Sequence, residues 1–374
     1  MVSVPSTHSS SPRRSPSALP PHTHTSLLFL IPFVPPTSPH PHTPQLTRLA
    51  SAAALLAAAS AGPADVPTVP ICTTGANKGK CYNMPVVGQG SCCGAYNITS
   101  WLSAGGIHID TSCDYGSQPT VGAAMLASGA PRSSLWLTSK LNVESCSTNM
   151  TGALFDLVLG PLGAGAGGYV DLLLLHHAGR WESDNNPHPP CFDLSKANGL
   201  GAYYDCRLQT VQAMEAIVKA GFARTWGVSN WQVRDLEQMY AAYGYYPAIN
   251  QIEYHPWWRE SDVVAFCNKH GILVEAYAPM GDGDRSHMRD APIFAQMAAA
   301  KGVTVGQLIM SYNLQSGADI VIPRSATPQH QVDNLNLFQP GGVPVVTLAM
   351  DDIAAIQSNH TFSKVYHTDC QPWC

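Results

Sequence analysis

The chain has 374 residues, a formal net charge of −5 at pH 7, 45% apolar residues and 12% charged ones. That length suits one large domain with extensions, and the near-neutral balance gives no electrostatic footing for nucleic acid or an anionic membrane surface. Eleven cysteines are an odd count, so a fully oxidised monomer keeps at least one free thiol.

Residues 1–65 read as an extension. Residues 1–45 hold eleven of the thirty prolines and five histidines, and no acidic residue precedes Asp65. Such a stretch buries too little apolar surface to offset its ordering entropy, which predicts disorder. The histidines are spaced by Pro and Thr and do not read as a metal tract. LTRLASAAALLAAASAG (46–62) follows, with Arg48 ahead of an Ala/Leu run that ends in Ala59-Ser60-Ala61. This matches a signal peptide with its small-residue cleavage site. Three sequons, at Asn97, Asn149 and Asn359, fit the same expectation of a secretory or organelle-lumen destination, where disulfides persist. The distance of the run from Met1 keeps a plastid or mitochondrial targeting sequence, or a cytoplasmic chain, open as the alternative. The run is too short to span a bilayer, so no stable membrane insertion is expected.

A cysteine-flanked lead-in hairpin is expected over 66–83, where Cys72 and Cys81 could close the loop CTTGANKGKC. From there short apolar runs read as strands at 86–90, 107–110, 135–139, 171–175, 224–228, 248–252, 272–276 and 319–323. Helical stretches separate most of them, at 97–104, 119–128, 149–160, 208–220, 232–243, 261–269, 291–300 and 304–315. Strands alternating with helices in this way over 84–345 predict an α/β fold, a (β/α)8 TIM barrel, with an open doubly wound sheet as the alternative. Residues 346–374 are expected to form a C-terminal helix and tail. The longest excursion, Ala178 to about Arg207, contains Cys191 and Cys206, which could staple it. GAGAGG (163–168) satisfies G-x-G-x-x-G but follows a helix and precedes a strand, the reverse of a dinucleotide fingerprint, so it reads as a connection.

Asp110, Tyr115, Lys140 and His176 fall at or just past the ends of predicted strands, and a parallel barrel gathers those ends at one mouth. Singly, each has a bland explanation: a loop cap, a turn, a solvated strand end, a core histidine. Together a carboxylate, a phenol, an ammonium and an imidazole make a proton donor for a carbonyl. Tyrosine, with a free pKa of about 10, is a poor acid near neutrality; a neighbouring ammonium lowers that pKa, and a carboxylate holds the ammonium.

The segments GGIHIDTSCDYG, LTSK, VDLLLLHH, WGVSNW, INQIEYHP, ILVEAYAPMG and IVIPRSATP resemble, in order, the successive signatures of the aldo-keto reductases, over about residues 80–345. The resemblance implies that Tyr115 is the acid, Lys140 its partner, Asp110 the carboxylate and His176 the group that orients the substrate carbonyl. It implies a nicotinamide cofactor with its carboxamide on Ser229, Asn230 and Gln251, its ring on Tyr277, and its adenosine end on Arg324, Ser325 and Asn334. His330 stands where a further arginine is expected, which weakens discrimination: NADPH is expected, with NADH as the weaker alternative. Cys92 and His177 occupy places where the family usually has tryptophan, and Ala278 replaces a usual serine. These changes predict a wider, more polar mouth, unless Trp257 and Trp258 compensate. No metal site is expected. The implied activity is NADPH-dependent reduction of a small-molecule aldehyde or ketone by a monomer. The competing reading is a catalytically silent nicotinamide-binding sensor or partner subunit on the same barrel.

Overall fold

The computed structural model describes residues 66–141, 150–178, 201–281 and 287–359, with only the backbone described over 201–209. The signal-like run, the Asn149 sequon, Cys191 and the tail beyond Asn359 lie outside the described residues, as does the side chain of Cys206.

The chain opens with an antiparallel hairpin, β1 (Thr68–Cys72) and β2 (Cys81–Pro85), in which Thr68 pairs with Pro85 and Cys72 with Cys81. Eight strands then run parallel: β3 (Gln89–Gly90), β4 (His108–Asp110), β5 (Trp136–Leu141), β6 (Val170–Leu175), β7 (Ala223–Ser229), β8 (Ile249–Glu253), β9 (Leu273–Tyr277) and β10 (Ile320–Ile322). Their order in the sheet is the order of the chain. A parallel bridge between Val87 and Val321, with Gly88 N–H donating to Val321 O at 2.9 Å, brings the first strand to the last. This is the expected (β/α)8 barrel.

Helices alternate with the strands: α1 (Ile98–Ser103), α2 (Gln118–Ala127), α3 (Met150–Leu154), α4 (Gly201–Ala220), α5 (Val233–Tyr243), α6 (Ser261–His270), α7 (Pro292–Lys301) and α8 (Val305–Ser316). Beyond α3 the coil widens to a π-helix over Phe155–Leu159 before Gly160–Leu162 returns to α. Helix α9 (Pro328–Leu335) lies where the sequence reading placed only a binding segment. Pro328 at its first turn suits a position whose N–H needs no intrahelical partner. A small hairpin, β11 (Phe338–Gln339) with β12 (Val343–Pro344), and α10 (Met350–Ser358) complete the described chain. Among the described residues no single helix is long and apolar enough to cross a membrane.

The alternation along β6 shows how the core divides. Leu173 and Leu175 pack outward with the helices. Leu172 and Leu174 point inward, into a cluster with Ile71 and Met84 of the hairpin and with Trp136, Ile249 and Ile320. The last three open β5, β8 and β10, so the hairpin seals the N-terminal ends of the strands. That leaves the opposite end for chemistry.

Candidate active site

Asp110 closes β4, and a single 3-10 turn, Cys113–Tyr115, carries Tyr115 back over the mouth. Lys140 lies near the end of β5, and His176 directly follows β6, its N–H donating to Leu141 O at 2.9 Å. The parallel register therefore delivers all four to one end of the barrel.

Lys140 and Asp110 are both buried. The ammonium donates to Asp110 Oδ1 at 2.6 Å, to Oδ2 at 2.8 Å and to the Thr111 carbonyl at 3.0 Å. Three donors meet three acceptors, which is what a buried ammonium requires. Its effect on Tyr115 is through space: Nζ lies 4.8 Å from the centroid of the phenol ring. The Tyr115 hydroxyl meets His176 Nε2 at 3.3 Å, with the two rings edge to face.

On the other side of the imidazole stands a residue that the sequence reading missed. Asp114 Oδ2 lies 3.0 Å from His176 Nδ1, and Ser112 Oγ donates to Asp114 Oδ1. Burial alone would push that carboxyl up. The adjacent His176 imidazole, its hydrogen bond and that of Ser112 outweigh burial and hold the group below the ordinary carboxylate range. The signal was visible as an acid immediately before the tyrosine, but nothing in a linear chain said that it faced an imidazole 62 positions later. His177 stacks on His176 with centroids 4.5 Å apart.

The residues singled out for a nicotinamide also gather here. Ser229 closes β7, and Asn230 follows in the left-handed region at φ 61°, a conformation asparagine tolerates better than most residues. That turn lets its side-chain amide donate to His176 O at 3.0 Å and to Ser229 Oγ at 3.1 Å, while Oδ1 accepts from the Tyr277 hydroxyl at 2.9 Å. Gln251 Nε2 donates to Asp110 Oδ2 at 2.9 Å and to Glu275 Oε2 at 2.8 Å. With both amide protons used, its carbonyl oxygen is the group left to meet a carboxamide N–H.

After β10, Arg324 lays its guanidinium across Gly94, where a Cβ would overlap it. The Ser325 carbonyl accepts from Gln89 and Gln331, each at 2.9 Å. His330 is exposed on α9. Asn334 is buried on the same helix, and its Nδ2, like Gln331 Oε1 and Gln89 Oε1, has no hydrogen-bond partner among the described residues. Buried polar atoms seldom go unsatisfied; here several do so around one cationic segment. Trp257 and Trp258 bind their indole N–H groups to Asn359 O and Glu260 Oε1, each at 3.0 Å, and so tie the β8–α6 loop together and to the end of α10.

The GAGAGG run precedes β6, where a dinucleotide fingerprint would follow a strand and open a helix. Gly165 and Gly122 press against each other so closely that a Cβ on Gly165 would overlap the Gly122 carbonyl. These glycines let α2 pack on the segment before β6.

Residues 97–357 match the model of the Aldo/keto reductase family. The chain is 30% identical over 270 residues to glycerol 2-dehydrogenase (NADP(+)) of Saccharomyces cerevisiae, covering 70% of this chain and 81% of that one. It is 29% identical over 255 residues to human aldo-keto reductase family 1 member A1, covering 63% and 74%. Among solved structures, a Bombyx mori aldo-keto reductase in complex with NADP superposes with a TM-score of 0.62 at 25% identity, covering 81% of this chain and 95% of that one.

Proposed function

The chain belongs to the aldo/keto reductase family, and from that membership we propose that it reduces a small-molecule aldehyde or ketone to an alcohol with NADPH. The observation that carries the reading is the meeting of Tyr115, Lys140, Asp110 and His176 at one mouth, with Tyr115 between the ammonium and the imidazole.

NADPH, when bound, supplies the hydride that the carbonyl carbon accepts. Tyr115 supplies the proton for the developing alkoxide. The Lys140 ammonium beside its ring stabilises the phenolate left behind, and Asp110 fixes the ammonium by a two-point contact. His176 directs Nε2 at the hydroxyl of Tyr115, and so at a carbonyl oxygen bound against it. Donors already in place where charge develops need no reorganisation during the reaction.

For the nicotinamide end, Ser229, Asn230 and the carbonyl of Gln251 hold the carboxamide, and Tyr277 offers its ring face. The hydroxyl bond from Tyr277 to Asn230 keeps that face fixed. For the far end, Arg324 and Ser325 take the 2′-phosphate, with His330 nearby in place of a second permanent cation. Asn334 reads the adenine, and its orphaned Nδ2 fits that role. The names of the yeast relative, which specifies NADP(+), and of the silkworm complex with NADP support the cofactor.

The test is nicotinamide oxidation by the full chain with a panel of aldehydes and ketones, beside Tyr115→Phe. Turnover in the parent that falls by at least 10²-fold in the variant, with NADPH still bound, is the expected result. NADPH binding without turnover on any carbonyl would make the protein a nucleotide-binding sensor. No NADPH binding would overturn the reading.

A further inference from the structure

Asp114 has no part in the reduction described above, yet it is a charged group in direct contact with the imidazole. Described residues from several elements surround His176. On the Nδ1 edge are Asp114 Oδ2 at 3.0 Å and Ser112 Oγ at 3.3 Å. On the Nε2 edge is the Tyr115 hydroxyl at 3.3 Å. His177 covers one face, and the Lys140–Asp110 pair lies behind Tyr115. Asn230 holds the His176 backbone carbonyl from β7, and Cys113 lies beside Asp114, its thiol directed at Oδ1 over 3.8 Å.

An ionised carboxylate only accepts hydrogen bonds. The Ser112 hydroxyl already gives its proton to Asp114 Oδ1, so at Nδ1 it too can act only as an acceptor. Both groups on that edge therefore demand a proton on Nδ1. A neutral imidazole carries one N–H, so Nε2 is then bare. A bare Nε2 accepts from the Tyr115 hydroxyl and has nothing to give to a carbonyl oxygen.

We propose that Asp114 is a positioning residue that holds His176 in the Nδ1–H tautomer, so that the imidazole donates to substrate oxygen at Nε2 only as the imidazolium. This rests on the reductase reading for its consequence but not for its geometry. In the reduction, the Tyr115 O–H bond breaks and a new O–H bond forms on the alkoxide, leaving phenolate. The Nε2–H bond of the imidazolium then breaks to restore the phenol, leaving the neutral Nδ1–H ring, and Nε2 takes a fresh proton from hydronium in bulk solvent, the one proton that each reduction consumes. The Asp114 carboxylate keeps its contact with Nδ1 in both protonation states of the ring, as a carboxylate behind an imidazole does in hydrolytic triads.

The experiment uses the full chain labelled with 15N-histidine and long-range 1H–15N correlation at a pH where the ring is neutral, with His176 assigned by its loss in His176→Gln. The parent is expected to carry its proton on Nδ1, and both Asp114→Ala and Asp114→Asn to move it to Nε2. Ser112→Ala keeps the carboxylate and is expected to keep the Nδ1–H form. In turnover, Asp114→Asn is expected to lower kcat by roughly 10- to 100-fold, at or below the low end for loss of acid–base assistance, with the NADPH Kd unchanged. A parent ring protonated on Nε2, or an Nδ1–H form that survives in both Asp114 variants, would overturn the proposal. If the tautomer follows Asp114 while the parent turns over no carbonyl, the positioning role stands and the reductase reading falls.

Discussion

Beneath the tetrad, His108 and Glu275 bring two more ionisable groups into the barrel interior, both fully buried. Burial, and after it the charge of Asp110, pushes the Glu275 carboxyl up to about 8. Burial likewise pushes the His108 imidazole down to about 4. They therefore meet, at 3.6 Å, as a carboxylic acid and a neutral ring near neutrality. This spares the fold two isolated buried charges. Between the ordinary carboxylate pKa of 4.5 and about 8, the folded chain holds a Glu275 proton that the unfolded chain has released, so stability falls as pH rises. His108 acts the other way: from 6.5 down to about 4, the unfolded chain takes up a proton that the buried ring refuses, and stability falls as pH falls. In the window from 6.5 to about 8 Glu275 acts without His108. The melting temperature is expected to drop across that window, and Glu275→Gln, which can still accept from Gln251, is expected to flatten the slope. Equal slopes in parent and variant would show that Glu275 is ionised throughout.

At the scale of elements, glycines mark where backbone must touch backbone. Gly122 on α2 and Gly165 in the turn before β6 each lack room for a methyl group, because the neighbour is a carbonyl rather than a side chain that could rotate. Gly306 differs: it is the second residue of α8, and an added Cβ would meet Met280 Sδ at 3.5 Å and Thr304 Oγ1 at 3.9 Å, both ordinary contacts. Gly165→Ala is therefore expected to destabilise by about 1–3 kcal/mol through overpacking. Gly306→Ala is expected to stabilise by about 0.4–1 kcal/mol by reducing the conformational freedom of the unfolded chain. Urea midpoints of the two variants should shift in opposite directions; a shift of the same sign in both would refute the contact argument.

At the scale of the molecule, the barrel has a sealed end and an open one. Ile71 and Met84 plug the sealed end. The hairpin tip is anchored from outside by Asn77 Nδ2, which donates to Glu215 Oε2 at 2.6 Å and to its carbonyl at 3.0 Å. Cys72 and Cys81 are register partners with Cα atoms 4.0 Å apart and a sequence separation of 9. We propose that they form a disulfide in the mature protein. Closing a loop of that size contributes about 2–3 kcal/mol by the loop-entropy relation. Peptide mapping without reductant should find the two linked, and Cys81→Ser should lower stability by about that amount. Quantitative alkylation of both thiols in the untreated protein would remove the proposal.

The sequence by itself determined the repeating order of strands and helices, because apolar runs and their spacing are local properties of the chain. It also placed Asp110, Tyr115, Lys140 and His176 at strand ends, where a parallel barrel has to bring them together. It did not reveal helix α9, because a short polar stretch opened by proline reads equally well as a loop. It could not say that Asp114 faces His176, that Gln251 bridges Asp110 and Glu275, or that Arg324 lies across Gly94. Those contacts join residues 24 to 230 positions apart. They meet only because sheet register and closure of β3 onto β10 set each strand's stagger and which alternate side chains point inward. Only tertiary structure makes such choices, since a shift of one residue in any strand would turn a site residue into a wall residue.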